Sequence, residues 1–141
     1  MKIIQVVGRS NSGKTTFIKT LIPALKQLGT VAVVKHLGDH DYELEDGKDT
    51  TSFFDGGADI SVGIDSHKAI IAIHKNSLDD MLSILCSEGM NYAIIEGFKT
   101  RTFPKIVIGD LISEPCVLKD PTVDQVVASL PAFEDYYNKK V

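Results

Sequence analysis

The stretch GRSNSGKTT, Gly8 to Thr16, follows the apolar run IIQVV near the start of the sequence. A glycine, four residues and then Gly13-Lys14-Thr15 make the phosphate-binding loop pattern, which works only between a strand and the helix it opens. Glycine lets the backbone wrap closely around phosphate. The free amides of the helix start then donate to it, and the helix dipole adds partial positive charge. The pattern assigns Gly8 and Gly13 to the turn and sends Lys14 to the β and γ phosphates. The Thr15 hydroxyl goes to magnesium, Asn11 and Ser12 shape the loop and offer amides, and Thr16 supports an α phosphate.

The flanking sequence supplies that context. KIIQVV is continuously apolar and branched, as strands buried on both faces of a parallel sheet are. From Gly13 to Leu28 the apolar residues recur at three and four positions, which predicts a helix stopped by Gly29, with Pro23 kinking it or breaking its bonding. TVAVVKH reads as a second strand, the acidic stretch Leu37 to Gly47 as a surface loop, and KDTTSFFDGGAD as a short helix ended by Gly56 and Gly57. DISVGI and HKAIIAIH, joined around Asp65 and Ser66, predict a hairpin. Ser77 is placed to cap a helix over SLDDMLSILCSEG that Gly89 stops. NYAIIEG, KIVIG and PCVLKD add three strands, and Val123 to Tyr137 is predicted helical with Pro131 dividing it. Strands alternating with amphipathic helices give an α/β fold, with a mainly parallel sheet between helical layers and ligands beyond the carboxyl ends of its strands.

Composition narrows the function. At 141 residues, 43% of them hydrophobic, the chain suits one domain spanning 1–141. A net charge of -4 and a pI near 5.5 argue against a nucleic-acid footprint. Cys86 and Cys116 lack CxxC spacing and are expected to be reduced core thiols. No apolar run approaches a signal-peptide core or a membrane span, so the expected location is the cytoplasm.

Three further features carry chemistry. YAIIEG ends an apolar strand in Glu96, where phosphate-loop proteins keep an acidic residue facing the metal or the attacking water. Glu96 and Lys14 are the candidate catalytic residues. KHLGDHDYELEDGKDT lies where γ-phosphate-sensing loops sit. Its His36, Asp39, His40, Asp41, Asp46 and Asp49 read either as metal ligands or as a solvated acidic loop, and no fixed metal spacing favours the former. His67 and His74 read as ordinary hairpin residues. Guanine readers carry Asn-Lys-x-Asp; LKDP at Leu118 to Pro121 is not that motif. Asp120 still fits either a guanine acceptor or the N-cap of the tail helix.

Taken together, GRSNSGKTT, KHLGDHDYELEDGKDTTSFFDGGA and AIIEGFKTRTFPKIVI resemble the MobB family, the adapter proteins of molybdopterin guanine dinucleotide biosynthesis. The most particular parts are Lys35-His36 with His40 and Asp41, GKDT at Gly47 to Thr50, and EGFK at Glu96 to Lys99. The resemblance implies a P-loop NTPase-like three-layer sandwich with an added β-hairpin, and a homodimer with weak GTP hydrolysis that works beside the guanylyltransferase joining GMP to molybdopterin. It implies GTP and Mg2+ as cofactors, with Lys14 and Thr15 on the nucleotide and metal, Glu96 beside the metal, Asp41 in the polar segment that matches the family's, and Lys99 near the nucleotide pocket. LGD at Leu37 to Asp39 is less histidine-rich than the family's stretch.

The leading function is a GTP-binding adapter that reports nucleotide state to a partner enzyme. An ATP-dependent small-molecule kinase is the alternative, but Arg9 and Arg101 are its only arginines, thin equipment for clamping a transferred phosphoryl group. A metal-delivery GTPase is a third reading, resting on His36, Asp39, His40 and Asp41. The apolar strands around Ile60 to Ile73 exceed what a minimal sheet needs and suggest pairing between two copies.

Overall fold

The computed structural model describes residues 1–137. Strand β1 (Lys2–Gly8) lies at the centre of a five-stranded sheet ordered β2 (Val31–Lys35), β5 (Tyr92–Glu96), β1, β6 (Lys105–Ile108), β7 (Cys116–Lys119). Every pairing in it is parallel. The branched residues of IIQVV explain the central place, because Ile3, Ile4, Val6 and Val7 are each wholly buried and only a strand covered on both faces can hide all four.

One face of this sheet receives helix α1 (Lys14–Lys26). Its Ile18, Leu21 and Leu25 pack with Ile4, Val6, Ile94, Ile106, Val126 and Phe133 in one cluster. Each such aliphatic side chain contributes about 2 kcal/mol by leaving water. The helix runs through Pro23 unbroken, so the expected break does not occur; the fixed φ of proline is itself helical, and the loss is confined to one backbone donor. On the opposite face the register places Gln5 beside Ile95 and Lys105, and the two polar residues are as buried as the apolar ones.

The chain divides into two compact units, one formed by Met1–His36 and the chain from Leu82 onward, the other by Leu37–Met81. The second unit contains helix α2 (Asp49–Asp55) and the antiparallel hairpin β3 (Ile60–Ile64) and β4 (Ala69–Ile73), a separate two-stranded sheet. Asp65 closes the hairpin turn by accepting from the amides of His67 and Lys68 at 2.7 and 2.8 Å. Helix α2 covers the inner face, where the Ser61 hydroxyl donates to the Thr50 carbonyl at 2.7 Å and Phe54 stacks on His74. Helix α3 (Leu78–Ser87) starts at Ser77 as expected, its hydroxyl accepting from the Asp80 amide at 3.1 Å, and Gly89 ends it at φ 74°.

The tail departs from expectation. Helix α4 covers only Val123–Ala128, followed by a 3-10 turn, Leu130–Ala132. From Phe133 to Tyr137 the chain is no longer helical: Phe133 is buried, the Ile3 amide donates to the Glu134 carbonyl, and Lys2 pairs with Asp135 at 2.9 Å. Docking against β1 overrides the helical periodicity. The cysteines also differ from expectation, since neither is a fully buried core thiol. Cys86 is half-buried, and Cys116 is exposed on the edge strand β7. Among the described residues no helix is long and apolar enough to cross a membrane.

Candidate functional site

The site forms where the carboxyl ends of β1 and β5 meet the start of α1. Gly8 ends β1 against β6. A side chain there would begin 2.5 Å from the Ser12 hydroxyl and 2.6 Å from the Ile108 carbonyl, so the loop can leave the strand only because residue 8 has none. Asn11 and Gly13 take positive φ, 58° and 91°, which turns successive backbone segments inward. Gly13 is the N-cap of α1, offers no side-chain cap, and is followed by no acidic residue in the first turn. The orphan amides and positive dipole end therefore face the loop with neither a side-chain cap nor a first-turn acid to satisfy them.

Lys14 lies across this loop. Its ammonium donates to the carbonyls of Arg9 at 2.6 Å and Gly8 at 3.3 Å. Burial lowers its pKa below the ordinary 10.5; Glu96 opposes that shift, and the cations of Lys99 and Lys35 add to it. The same influences show that Lys99, in the loop after β5, acts on the lysine of the phosphate loop.

Thr15 and Glu96 face each other. The Thr15 hydroxyl is 3.3 Å from both carboxylate oxygens of Glu96, and Lys35 stands 3.6 Å from the same carboxylate. Parallel pairing puts Glu96 level with Val6 of β1 and Lys35 of β2, which is why strand ends far apart in sequence converge here. Octahedral magnesium, with oxygens at about 2.1 Å, holds adjacent ligands about 3 Å apart. Thr15 and Glu96 meet that spacing, and both are the hard oxygen donors the ion prefers. Thr16 occupies the exposed side of the first turn.

Asp120 ends β7. It does not cap the tail helix, because Thr122 does so through a capping box with Gln125. Instead Asp120, at φ 44°, accepts the Gly109 amide at 2.7 Å, next to Ser12. Arg9 pairs with Asp110 at 3.0 Å, and the Arg101 guanidinium lies 5.0 Å over the Phe103 ring.

Asp41 belongs to the second unit, in a stretch without regular structure. Among the described residues no group of three or more His, Cys, Asp or Glu is placed to hold a metal. The cluster of His36, Asp39, His40 and Asp41 therefore does not assemble into a ligand set. His36 lies instead against Phe98, ring centroids 4.5 Å apart. The second unit has a groove of about 620 Å³ lined by Tyr42, Lys48, Thr50, Ser61 and Lys68 among others. Its two lysines are already paired, with Glu45 and Asp65.

Two residues beside the site escaped the sequence reading. Gln5 is wholly buried, and its amide nitrogen donates to the Gly97 and Phe98 carbonyls, each at 2.8 Å. Lys105, 1% exposed, donates to Arg101 and Glu114 carbonyls at 2.8 and 3.1 Å. The available signal was a polar residue inside or at the start of a run otherwise fit only for a core strand. Lys35 was read as part of a motif and not as the partner of Glu96.

A profile of the family described as Molybdopterin guanine dinucleotide synthesis protein B, MobB, matches residues 3–129. A Methanocaldococcus jannaschii protein, assigned as a molybdopterin-guanine dinucleotide biosynthesis adapter protein, is 34% identical over 113 residues, 77% of this chain and 47% of that protein. A Bacillus subtilis protein assigned the same role is 34% identical over 111 residues, 75% of this chain and 64% of that protein. The chain thus aligns with about half of the first relative's length and just under two thirds of the second's. The crystal structure of Bacillus subtilis MobB superposes with a TM-score of 0.71 at 23% identity, covering 92% of this chain and 98% of that one. The MobB homologue from Bacillus stearothermophilus gives 0.57 at 22% identity, over 96% and 74%. These likenesses show the P-loop NTPase-like fold, and the profile, spanning nearly the whole sequence, shows that the chain belongs to the MobB family.

Proposed function

We propose that this chain is a cytoplasmic adapter that binds GTP with Mg2+, hydrolyses it weakly at most, and assists a molybdenum cofactor guanylyltransferase in attaching GMP to molybdopterin. The observation that carries the nucleotide half is the meeting of Lys14, Thr15 and Glu96 at one end of the sheet. In this reading the amides of Asn11 to Thr16 and the Lys14 ammonium hold the phosphates. Thr15 and Glu96 hold the magnesium, directly or through its waters, and the ion supplies charge neutralisation at the phosphates. Lys99 adds positive charge, and the Asp120 oxygen not held by Gly109 accepts from the guanine edge. Weak turnover fits Arg9, which is paired with Asp110 at 3.0 Å and so already engaged away from a transferred phosphoryl group. The pathway half rests on family membership and on the assigned roles of the relatives. Calorimetric titration with GTP and ATP, with and without Mg2+, tests the site. The expected result is Mg2+-dependent binding at least about tenfold tighter for GTP, a difference of about 1.4 kcal/mol. Equal or tighter ATP binding with phosphoryl transfer to a small acceptor would favour a kinase. Co-purification with the guanylyltransferase from a molybdenum-using host tests the adapter role.

The homodimer reading is supported by the hairpin. Helix α2 packs on one face of this two-stranded sheet, yet Ile60, Val62, Ile64 and Ile71 are all more than 45% exposed on the face opposite Ser61 and Gly63, an apolar patch of the kind that marks an interaction surface. A second copy would cover this face or pair with its open edges. Val62→Glu, placed opposite Ile71 in the ladder, is expected to convert the dimer to monomer in sedimentation velocity with unchanged circular dichroism. A wild-type chain that sediments as a monomer at micromolar concentration would end this reading.

A further inference from the structure

We infer that Gln5 and Lys105 are positioning residues that act as a two-point latch on the loop carrying Lys99 away from Glu96, and so set the geometry of the nucleotide site from the far face of the sheet. The inference deepens the nucleotide-binding reading and rests on it for its functional half.

The loop between β5 and β6 opens with an uncommon backbone. After Glu96, Gly97 and Phe98 take positive φ, 90° and 52°, in succession. The second is unusual for an aromatic residue, and such backbone persists only where its surroundings over-determine it. Gln5 provides that determination, because one amide group satisfies both carbonyls of the reversed pair at 2.8 Å. The Phe98 carbonyl also accepts the Arg101 amide at 2.9 Å, so the turn around Lys99 closes on an oxygen that Gln5 holds. Lys105 fixes the next point, the Arg101 carbonyl, and ties it to the Glu114 carbonyl before β7.

The cost of these groups argues that they are not incidental. Among the described residues the Gln5 side-chain oxygen is buried with no hydrogen-bond partner, and burial pushes the Lys105 ammonium below its usual pKa. A core strand would be more stable with aliphatic residues at both places unless the carbonyls they hold need holding. Gln5 and Lys105 are side by side in the register of β1 and β6. Glu96 and Lys99 flank the two residues that Gln5 restrains, and Lys99 is close enough to depress the Lys14 pKa. Releasing the latch therefore lets Lys99 and the Glu96 carboxylate drift while the phosphate loop, whose own bonds are untouched, stays formed.

The test uses the full chain with Gln5→Met and, separately, Lys105→Met, both of which keep side-chain length and remove the donors. Hydrogen–deuterium exchange of the nucleotide-free protein is read for the segment 97–104 against the segment 92–95 of β5, and Mg2+-GTP affinity is measured in parallel. The expected result is exchange at least about fivefold faster in 97–104 with β5 unchanged, and GTP affinity at least about fivefold weaker. Unchanged exchange in 97–104 in both folded variants overturns the latch. Faster exchange with wild-type affinity overturns its link to the site. A wild-type chain that binds no nucleotide overturns the nucleotide reading and the functional half, while the exchange result still decides the latch. If one variant fails to fold, the other carries the test, since each releases a different carbonyl.

Discussion

Lys14→Ala is expected to weaken Mg2+-GTP binding by more than about 100-fold and to leave the melting temperature nearly unchanged. A lysine on phosphate makes charge-assisted bonds of about 1.5–3 kcal/mol each, so losing bonds to two phosphates removes about 3 kcal/mol or more, and each 1.4 kcal/mol is tenfold. Stability should barely move, because the ammonium spends its bonds only on loop carbonyls that water can also serve and its pKa is already lowered by burial. The pH dependence follows from the same shift. In the free protein the Lys14 pKa lies below 10.5, and bound phosphate, favouring the cation, raises it again. Wild-type affinity is therefore complete below the free-protein pKa and falls as pH rises through it, with proton uptake on binding in that window. Calorimetry in two buffers of different ionisation enthalpy reads this uptake, which should vanish in Lys14→Ala. Retained affinity in the variant would remove the phosphate loop from the function.

The second large effect is expected from Gly8→Ala. The new methyl would sit 2.5 Å from the Ser12 hydroxyl and 2.6 Å from the Ile108 carbonyl. The hydroxyl can swing aside, but the carbonyl cannot, because Ile108 is the backbone partner of Gly8 in the β1–β6 ladder. Overpacking of this kind costs about 2–3 kcal/mol, which for a chain this size lowers the melting temperature by about 10 °C. Nucleotide affinity should fall with it, since the loop's exit from the strand is what moves. Gly13→Ala separates the two possible causes: it meets no atom within 4 Å and strains only φ, at about 1–2 kcal/mol. Equal melting temperatures for the two variants would show that the Ile108 contact does not matter.

The parts of this molecule that were legible in its sequence are those whose cause is local. The phosphate loop, the strand-end placement of Glu96, the Ser77 cap and the hairpin around Asp65 each depend on residues a few positions apart, and each is found where spacing predicts. The errors came from contacts between distant segments. Val123 to Tyr137 has helical periodicity, but β1 recruits its last residues as an extended neighbour through Lys2 and Asp135. One choice the sequence leaves open is decided locally: Thr122 and not Asp120 caps the tail helix, because Gln125, three residues after Thr122, completes its box. Gln5 and Lys105 carry no signal of their partners inside their strand runs, because the carbonyls they serve lie on a loop distant in sequence from Gln5 and across a turn from Lys105.

The attachment of Asp120 has a consequence for its proposed role at the base. Its carboxylate accepts from the amide of Gly109, a position where an added side chain would begin 3.5 Å from Ser12 of the phosphate loop. The carboxylate proposed to meet the guanine edge and the loop proposed to hold the phosphates thus share one mounting at the end of β6. A ligand that fits at one end and not at the other must strain that mounting, so discrimination between nucleotides would be felt as a weakened hold on the phosphates as well as a missing contact at the base.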